Sequence, residues 1–115
     1  MRPGLDVLAD PTRRTMLALL ALERELCVCE LEAALDAPQP AVSRHLAVLR
    51  DAGWVEPQRE GRRVFYRLGT ALPPWARQLV DAYVAGGVPA PQLQAARRRL
   101  HAFPGRPARF TKAAS

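Results

Sequence analysis

The spacing of apolar residues along the chain predicts a mostly helical protein. Apolar side chains recur every three to four residues, the spacing that places them on one face of an α-helix. The helices predicted in this way cover residues 5–9, 11–22, 26–35, 40–52, 72–85 and 91–101. Asp10 is a good N-cap and Pro11 suits the first helical position, so the second helix begins there. Gly53 closes the fourth helix.

Two strands interrupt the helical pattern. Residues 54–59 and 62–68 are rich in Val, Phe and Tyr and are joined at Glu60-Gly61, which predicts a hairpin. Helix, short turn, helix and then a two-stranded ribbon is the winged helix-turn-helix arrangement. The predicted fold class is therefore mainly α with a small β-hairpin. We expect one domain over residues 1–102, followed by a flexible basic tail over residues 103–115.

Composition is that of a soluble globular protein, with 115 residues, 49% hydrophobic and 24% charged. The longest leucine-rich apolar run, residues 16–22, is too short to span a bilayer. The N-terminus has no continuous apolar stretch before a small-residue cleavage site, so no secretory signal is expected. These features predict a cytoplasmic protein with no membrane partner and with reduced cysteines.

The chain carries a net charge of +6 and a pI near 10.6, which favours a polyanionic partner such as double-stranded DNA. In a helix-turn-helix the second helix enters the major groove, and Gln and Arg near its start can read adenine and guanine. Arginines around a hairpin turn suit a wing laid along phosphates, although they could equally keep an edge strand solvated. The predicted DNA-contacting residues are Gln39, Ser43, Arg44, His45, Arg50, Arg59, Arg62 and Arg63.

Cys27 and Cys29 are the only cysteines in the chain. If residues 26–35 form one ideal helix, Cys27 lies at the edge of the apolar face and Cys29 points nearly the other way, because positions i and i+2 do not face each other. The pair can then hold one ion only if the helix begins after them or its first turn unwinds. No Ser, Thr, Asp or Asn stands just ahead as an N-cap, so we expect a weakly fixed first turn.

Two thiolates restrict the ions that can bind. Thiolates select soft ions, and two ligands cannot complete a tetrahedral zinc site from one chain. A pyramidal ion such as As(III) or Sb(III) tolerates a low ligand count, with the third place left to solvent or a small thiol. We therefore predict As(III) or Sb(III) as the ligand of Cys27 and Cys29, and no catalytic cofactor.

Several stretches of the chain resemble the arsenic-responsive repressors of the ArsR/SmtB winged-helix family. They are Leu8-Ala9-Asp10-Pro11-Thr12-Arg13, Glu25-Leu26-Cys27-Val28-Cys29-Glu30-Leu31, Gln39-Pro40-Ala41-Val42-Ser43-Arg44-His45-Leu46, and Arg59-Glu60-Gly61-Arg62 with Tyr66-Arg67-Leu68. The resemblance implies a homodimer that represses an arsenic-resistance operon and leaves its DNA when As(III) or Sb(III) binds Cys27 and Cys29. It also implies a dimer interface built from the N-terminal helix and the helix over residues 72–85. The expected interface residues are Leu5, Leu8, Leu72, Trp75, Leu79, Val80 and Tyr83.

The chain departs from the family pattern at three places. Glu32 stands where many relatives have a third cysteine, which leaves the third ion ligand open. Asp81 lacks histidine partners, so the zinc site that some relatives carry on the dimer helix is not expected. Pro38 replaces the usual Ser before Gln39, which removes an N-cap hydroxyl.

Two other functions use the same residues. A winged-helix repressor could sense cadmium, lead or oxidants through the same thiol pair. A small thiol redox enzyme is less consistent with the sequence, which lacks the C-x-x-C spacing and the βαβ setting of such proteins. With two histidines and no glycine-rich phosphate loop, no enzyme active site is predicted.

Overall fold

A computed structural model of the protein describes residues 3–108. The elements in chain order are a 3-10 turn (Asp6–Ala9), α1 (Pro11–Glu23), β1 (Leu26–Cys27), α2 (Val28–Leu35), α3 (Gln39–Asp51), β2 (Val55–Glu60), β3 (Arg63–Leu68), α4 (Pro74–Ala82), a π-helical turn (Tyr83–Gly87) and α5 (Ala90–Ala102). This order confirms the predicted winged helix-turn-helix fold, in which α2 and α3 form the helix-turn-helix and β2 and β3 form the wing. No helix among the described residues is long and apolar enough to cross a membrane.

Helix α1 runs through the core. It begins as the sequence predicts, because the Oδ1 atom of Asp10 accepts hydrogen bonds from the N–H groups of Thr12 at 2.7 Å and Arg13 at 3.3 Å. Its residues from Met16 to Leu20 are almost entirely buried. Trp54, at the start of the wing, is also fully buried and packs edge-to-face against Trp75 with ring centroids 6.1 Å apart.

The sheet contains a third strand, β1, that the sequence pattern did not predict. The sheet is antiparallel in the order β1-β3-β2, with Leu26 opposite Tyr66 and Cys27 opposite Phe65. The prediction of one helix over residues 26–35 is therefore wrong for its first two residues. These two residues pair with β3, and local periodicity cannot detect such a long-range partner.

The C-terminal part of the chain folds back onto α2. After α4, Gly86 adopts a φ of 143°, which favours glycine, and the chain turns into α5. Helix α5 packs along α2, and the Nε atom of Arg99 donates to the carbonyl oxygen of Ala34 at 3.0 Å. Within the predicted tail, Arg106 is hydrogen-bonded to Glu30 of α2. The rest of that predicted tail, residues 109–115, lies outside the described residues.

Candidate functional site

The two sulfur atoms lie side by side. The Sγ atoms of Cys27 and Cys29 are 2.8 Å apart, and both cysteines are reduced. Cys27 is the N-cap of α2, with extended backbone angles (φ −86°, ψ 172°), whereas Cys29 belongs to the first helical turn. The expectation that the two thiols point apart is therefore wrong. Since the helix begins after Cys27, the pair converges without any unwinding of α2.

Glu30 fixes this local geometry. Its side chain is fully buried, and its Oε1 atom accepts a hydrogen bond from the backbone N–H of Cys27 at 2.9 Å. Cys27 and Glu30 form a capping box, the motif in which Ser or Thr usually occupies the first position. The first turn of α2 is thus firmly capped, contrary to the sequence expectation. The spacing Cys27-x-x-Glu30 was the signal that could have revealed it.

The buried thiol of Cys27 holds its proton strongly. Burial, followed by the hydrogen bond with Cys29 and the negative charge of Glu30, raises the pKa of Cys27 to about 12. Cys27 is therefore a neutral thiol near pH 7. A ligand that binds here has to take over this proton or displace it.

The donor set fits a soft ion of low coordination number. Two thiolate sulfurs on one ion, with bonds of about 2.3 Å and tetrahedral angles, are about 3.8 Å apart. The observed pair has to open by only about 1 Å to reach that separation. Among the described residues, no group of three or more His, Cys, Asp or Glu side chains is placed to hold a metal ion. These residues supply two sulfurs, and the remaining ligand has to come from elsewhere.

The thiol pair opens into a groove that also reaches the helix-turn-helix and the wing. The groove has a volume of about 330 Å³. Its lining residues are Cys27, Val28, Cys29, Glu32, Gln39, Arg62, Arg63 and Val64. The candidate ion site and part of the candidate DNA-contacting set are therefore neighbours, which the spacing of these residues in the sequence did not predict.

Most of the predicted DNA-contacting side chains are accessible. Gln39 and Ser43 lie on one side of α3, where the Nε2 atom of Gln39 donates to the Oγ atom of Ser43 at 2.9 Å. Arg44 is exposed on α3. The wing residues Arg59, Arg62 and Arg63 are also exposed.

Two of the predicted phosphate contacts have partners within the protein. His45 is half-buried, and its Nδ1 atom lies 3.1 Å from a guanidinium nitrogen of Arg13 on α1. Burial lowers the pKa of His45, so the ring is neutral near pH 7 and accepts this hydrogen bond. Arg50 is exposed at the far end of α3, where it pairs with Asp51 at 3.3 Å.

The predicted dimer-interface residues fall into two groups. Leu5 and Trp75 are 56% and 36% exposed, and Leu79 is half-buried. The other four residues are buried in the core of the single chain: Leu8, Leu72, Val80 and Tyr83. Only Leu5, Trp75 and Leu79 therefore remain accessible to a partner, which is a smaller surface than the seven predicted residues would form.

The chain belongs to the arsR family of bacterial regulatory proteins, whose family model matches residues 10–56. The arsenic resistance transcriptional regulator ArsR1 of Pseudomonas putida is 52% identical over 85 residues, which cover 74% of this chain and 63% of that protein. The match thus spans less than two thirds of the length of that relative.

Two solved structures extend the comparison. The transcriptional repressor BigR from Xylella fastidiosa is 40% identical, with a TM-score of 0.62 and coverage of 70% of this chain and 76% of that one. The antimony-specific transcriptional repressor AntR is 31% identical, with a TM-score of 0.58 and coverage of 70% and 69%. All three of these relatives are named as regulators or repressors, and none as an enzyme.

The environment of His45 gives a pH prediction. Because the folded protein lowers the pKa of His45, the unfolded chain binds more protons below about pH 6.5, and acid destabilises the fold. This contribution to stability is complete above that pH and is lost as the pH falls through the folded pKa. His45→Gln should therefore flatten the fall in unfolding free energy between about pH 7 and 5, measured by denaturant titration. His101→Gln is the matched control, and an unchanged slope in His45→Gln would contradict this interpretation.

Proposed function

We propose that this protein is a homodimeric transcriptional repressor that binds operator DNA and releases it when As(III) or Sb(III) binds Cys27 and Cys29. The observation that carries the proposal is the pair of sulfur atoms 2.8 Å apart at the start of the helix-turn-helix. The descriptions of relatives as an arsenic resistance regulator and an antimony-specific repressor support the choice of ion.

The protonation of Cys27 favours a metalloid hydroxide over a divalent cation. Arsenite near pH 7 is the neutral trihydroxide, As(OH)₃. Two thiols condense with it to give (RS)₂AsOH and two molecules of water. Each thiol proton combines with a hydroxide of As(OH)₃ to form water, so no proton is released to the solution. A cation such as Cd²⁺ instead has to displace the Cys27 proton into solvent, which the raised pKa of Cys27 makes costly.

DNA recognition would follow the geometry of a winged helix. The start of α3, with Gln39, Ser43 and Arg44, would read base edges in the major groove, while Arg62 and Arg63 of the wing would contact phosphates. A homodimer would read an inverted repeat whose half-sites lie about 10 bp apart, or a multiple of that. The net charge of +6 favours such a complex.

The ion site is coupled to the DNA-contacting elements through two short connections. Cys27 pairs with Phe65 of β3, which is one strand of the wing. The groove beside the sulfurs is lined by Gln39 at the start of α3 and by Arg62 and Arg63 at the wing tip. Opening the sulfur pair by about 1 Å would displace the wing relative to α3. A ligand shifts operator binding only through such a difference between the bound and free states.

The central test compares the protein with the double variant Cys27→Ser/Cys29→Ser. We expect both to bind the promoter upstream of the protein's own gene, because serine keeps the small polar cap. Arsenite should release only the wild-type protein, measured by fluorescence anisotropy of labelled DNA. Release of the double variant by arsenite would contradict the proposal. Parallel titrations with Cd²⁺, Pb²⁺ and peroxide test the alternative sensing functions.

The pH dependence of binding should distinguish the two classes of ion. Arsenite affinity should stay nearly constant between about pH 6 and 8, since no net proton is released. Cd²⁺ affinity should rise by up to about tenfold per pH unit for each proton displaced. Both are measured by the sulfur-to-ion absorption band in the ultraviolet. An arsenite affinity that rises as steeply as that of Cd²⁺ would argue against condensation with neutral thiols.

Substitutions on the wing and on α3 should have different effects on DNA binding. Alanine at Arg62 or Arg63 should weaken binding to every DNA sequence. It should also reduce the slope of log K against log salt concentration by about 1, the value for one lost phosphate contact. Alanine at Gln39 or Arg44 should instead relax sequence preference. Arg98→Ala, an exposed arginine on α5, is the control for loss of one positive charge. Equal losses on operator and random DNA for both sets would contradict this division.

A further inference from the structure

The segment after α5, residues 103–108, crosses the start of α2 and reaches the carboxylate that caps the thiol pair. The Nε atom of Arg106 donates to the Oε2 atom of Glu30 at 2.7 Å. A guanidinium nitrogen of Arg106 also lies 3.9 Å from the Oε1 atom of Glu23. Phe103 lines an open cavity of about 580 Å³ together with Cys29. This segment therefore lies beside the ion site and contacts the residue that caps it.

Helix α5 fixes the position from which this segment starts. The Nε and one terminal nitrogen of Arg97 both lie 3.2 Å from the Oε2 atom of Glu23 at the end of α1. The Nε2 atom of His101 lies 3.1 Å from the same oxygen. Arg99 is bonded to the carbonyl oxygen of Ala34 near the end of α2. These contacts attach α5 to the helices on both sides of the thiol pair, so that Arg106 reaches Glu30 in a defined orientation.

The two oxygens of Glu30 connect the segment to the thiol pair. Oε2 accepts from Arg106, while Oε1 accepts from the backbone N–H of Cys27. The position of this carboxylate therefore sets the backbone of Cys27 and, with it, the direction of the Cys27 sulfur. We propose that Arg106 is a positioning residue for ion capture, acting through Glu30, and that residues 103–108 form part of the sensor. This inference rests on the proposed function.

The physical reason is the burial of Glu30. A fully buried carboxylate is stable only when it is paired and hydrogen-bonded. Loss of Arg106 would remove a cationic partner of Glu30 and loosen the carboxylate that accepts from the N–H of Cys27. Residues that do not touch the metal but hold a ligand in position typically contribute about 10- to 100-fold to metal affinity.

The first experiment uses the full chain with Arg106→Met, and with Arg98→Met as the matched control for charge and side-chain length. We expect Arg106→Met to raise the arsenite concentration for half-release of operator DNA by about 10- to 100-fold. Operator affinity without arsenite should be retained in both variants, and Arg98→Met should respond to arsenite like the wild type. Arg106→Lys should recover part of the loss, because its ammonium can reach the same carboxylate.

A second variant separates positioning from general stability. In Arg106→Met/Glu30→Gln the neutral amide needs no cation, and its oxygen still accepts from the N–H of Cys27. We therefore expect this double variant to bind arsenite more tightly than Arg106→Met, measured by the sulfur-to-arsenic absorption band. Recovery to within about threefold of wild type would support positioning through Glu30.

Two results would overturn the inference alone. One is an Arg106→Met protein that responds to arsenite like Arg98→Met. The other is loss of operator affinity and arsenite affinity together in Arg106→Met, which would show a role in folding only. Failure of the wild-type protein to bind arsenite would overturn the proposed function, and this inference with it.

Discussion

The hydrogen bond from the backbone N–H of Cys27 to the buried carboxylate of Glu30 determines the geometry of the whole site. It ends strand β1 and starts helix α2 at Val28, so that Cys27 keeps an extended backbone. That backbone turns the Cys27 sulfur toward Cys29 instead of away from it. A pair of thiols one residue apart can then bind one ion while the helix stays intact.

Local sequence signals were sufficient where the structure depends on near neighbours. Asp10 and Pro11 marked the start of α1, and the Val-, Phe- and Tyr-rich segments on either side of Glu60-Gly61 marked the wing. They failed at Leu26 and Cys27, whose strand exists only because β3 pairs with it. They failed again at Arg106, which lies 76 residues from Glu30 in the sequence. Periodicity cannot detect either contact, because both depend on how α5 and the wing pack around α2.

In the proposed function, a small ligand would act on DNA binding over a short distance. The thiol pair shares a groove with the start of α3 and the wing tip, and Cys27 lies opposite Phe65 in the sheet that carries the wing. Unwinding of α2 is therefore unnecessary for coupling. In the proposed function, a small separation of the two sulfurs would act directly on the junction between β1, α2 and the wing.

The most direct test of this account is a crystal structure of the full chain bound to As(III). The account predicts one arsenic atom bonded to the sulfurs of Cys27 and Cys29, with α2 still beginning at Val28 and with the Cys27–Glu30 hydrogen bond retained. An arsenic atom bound elsewhere, or a first turn of α2 unwound around it, would contradict the account.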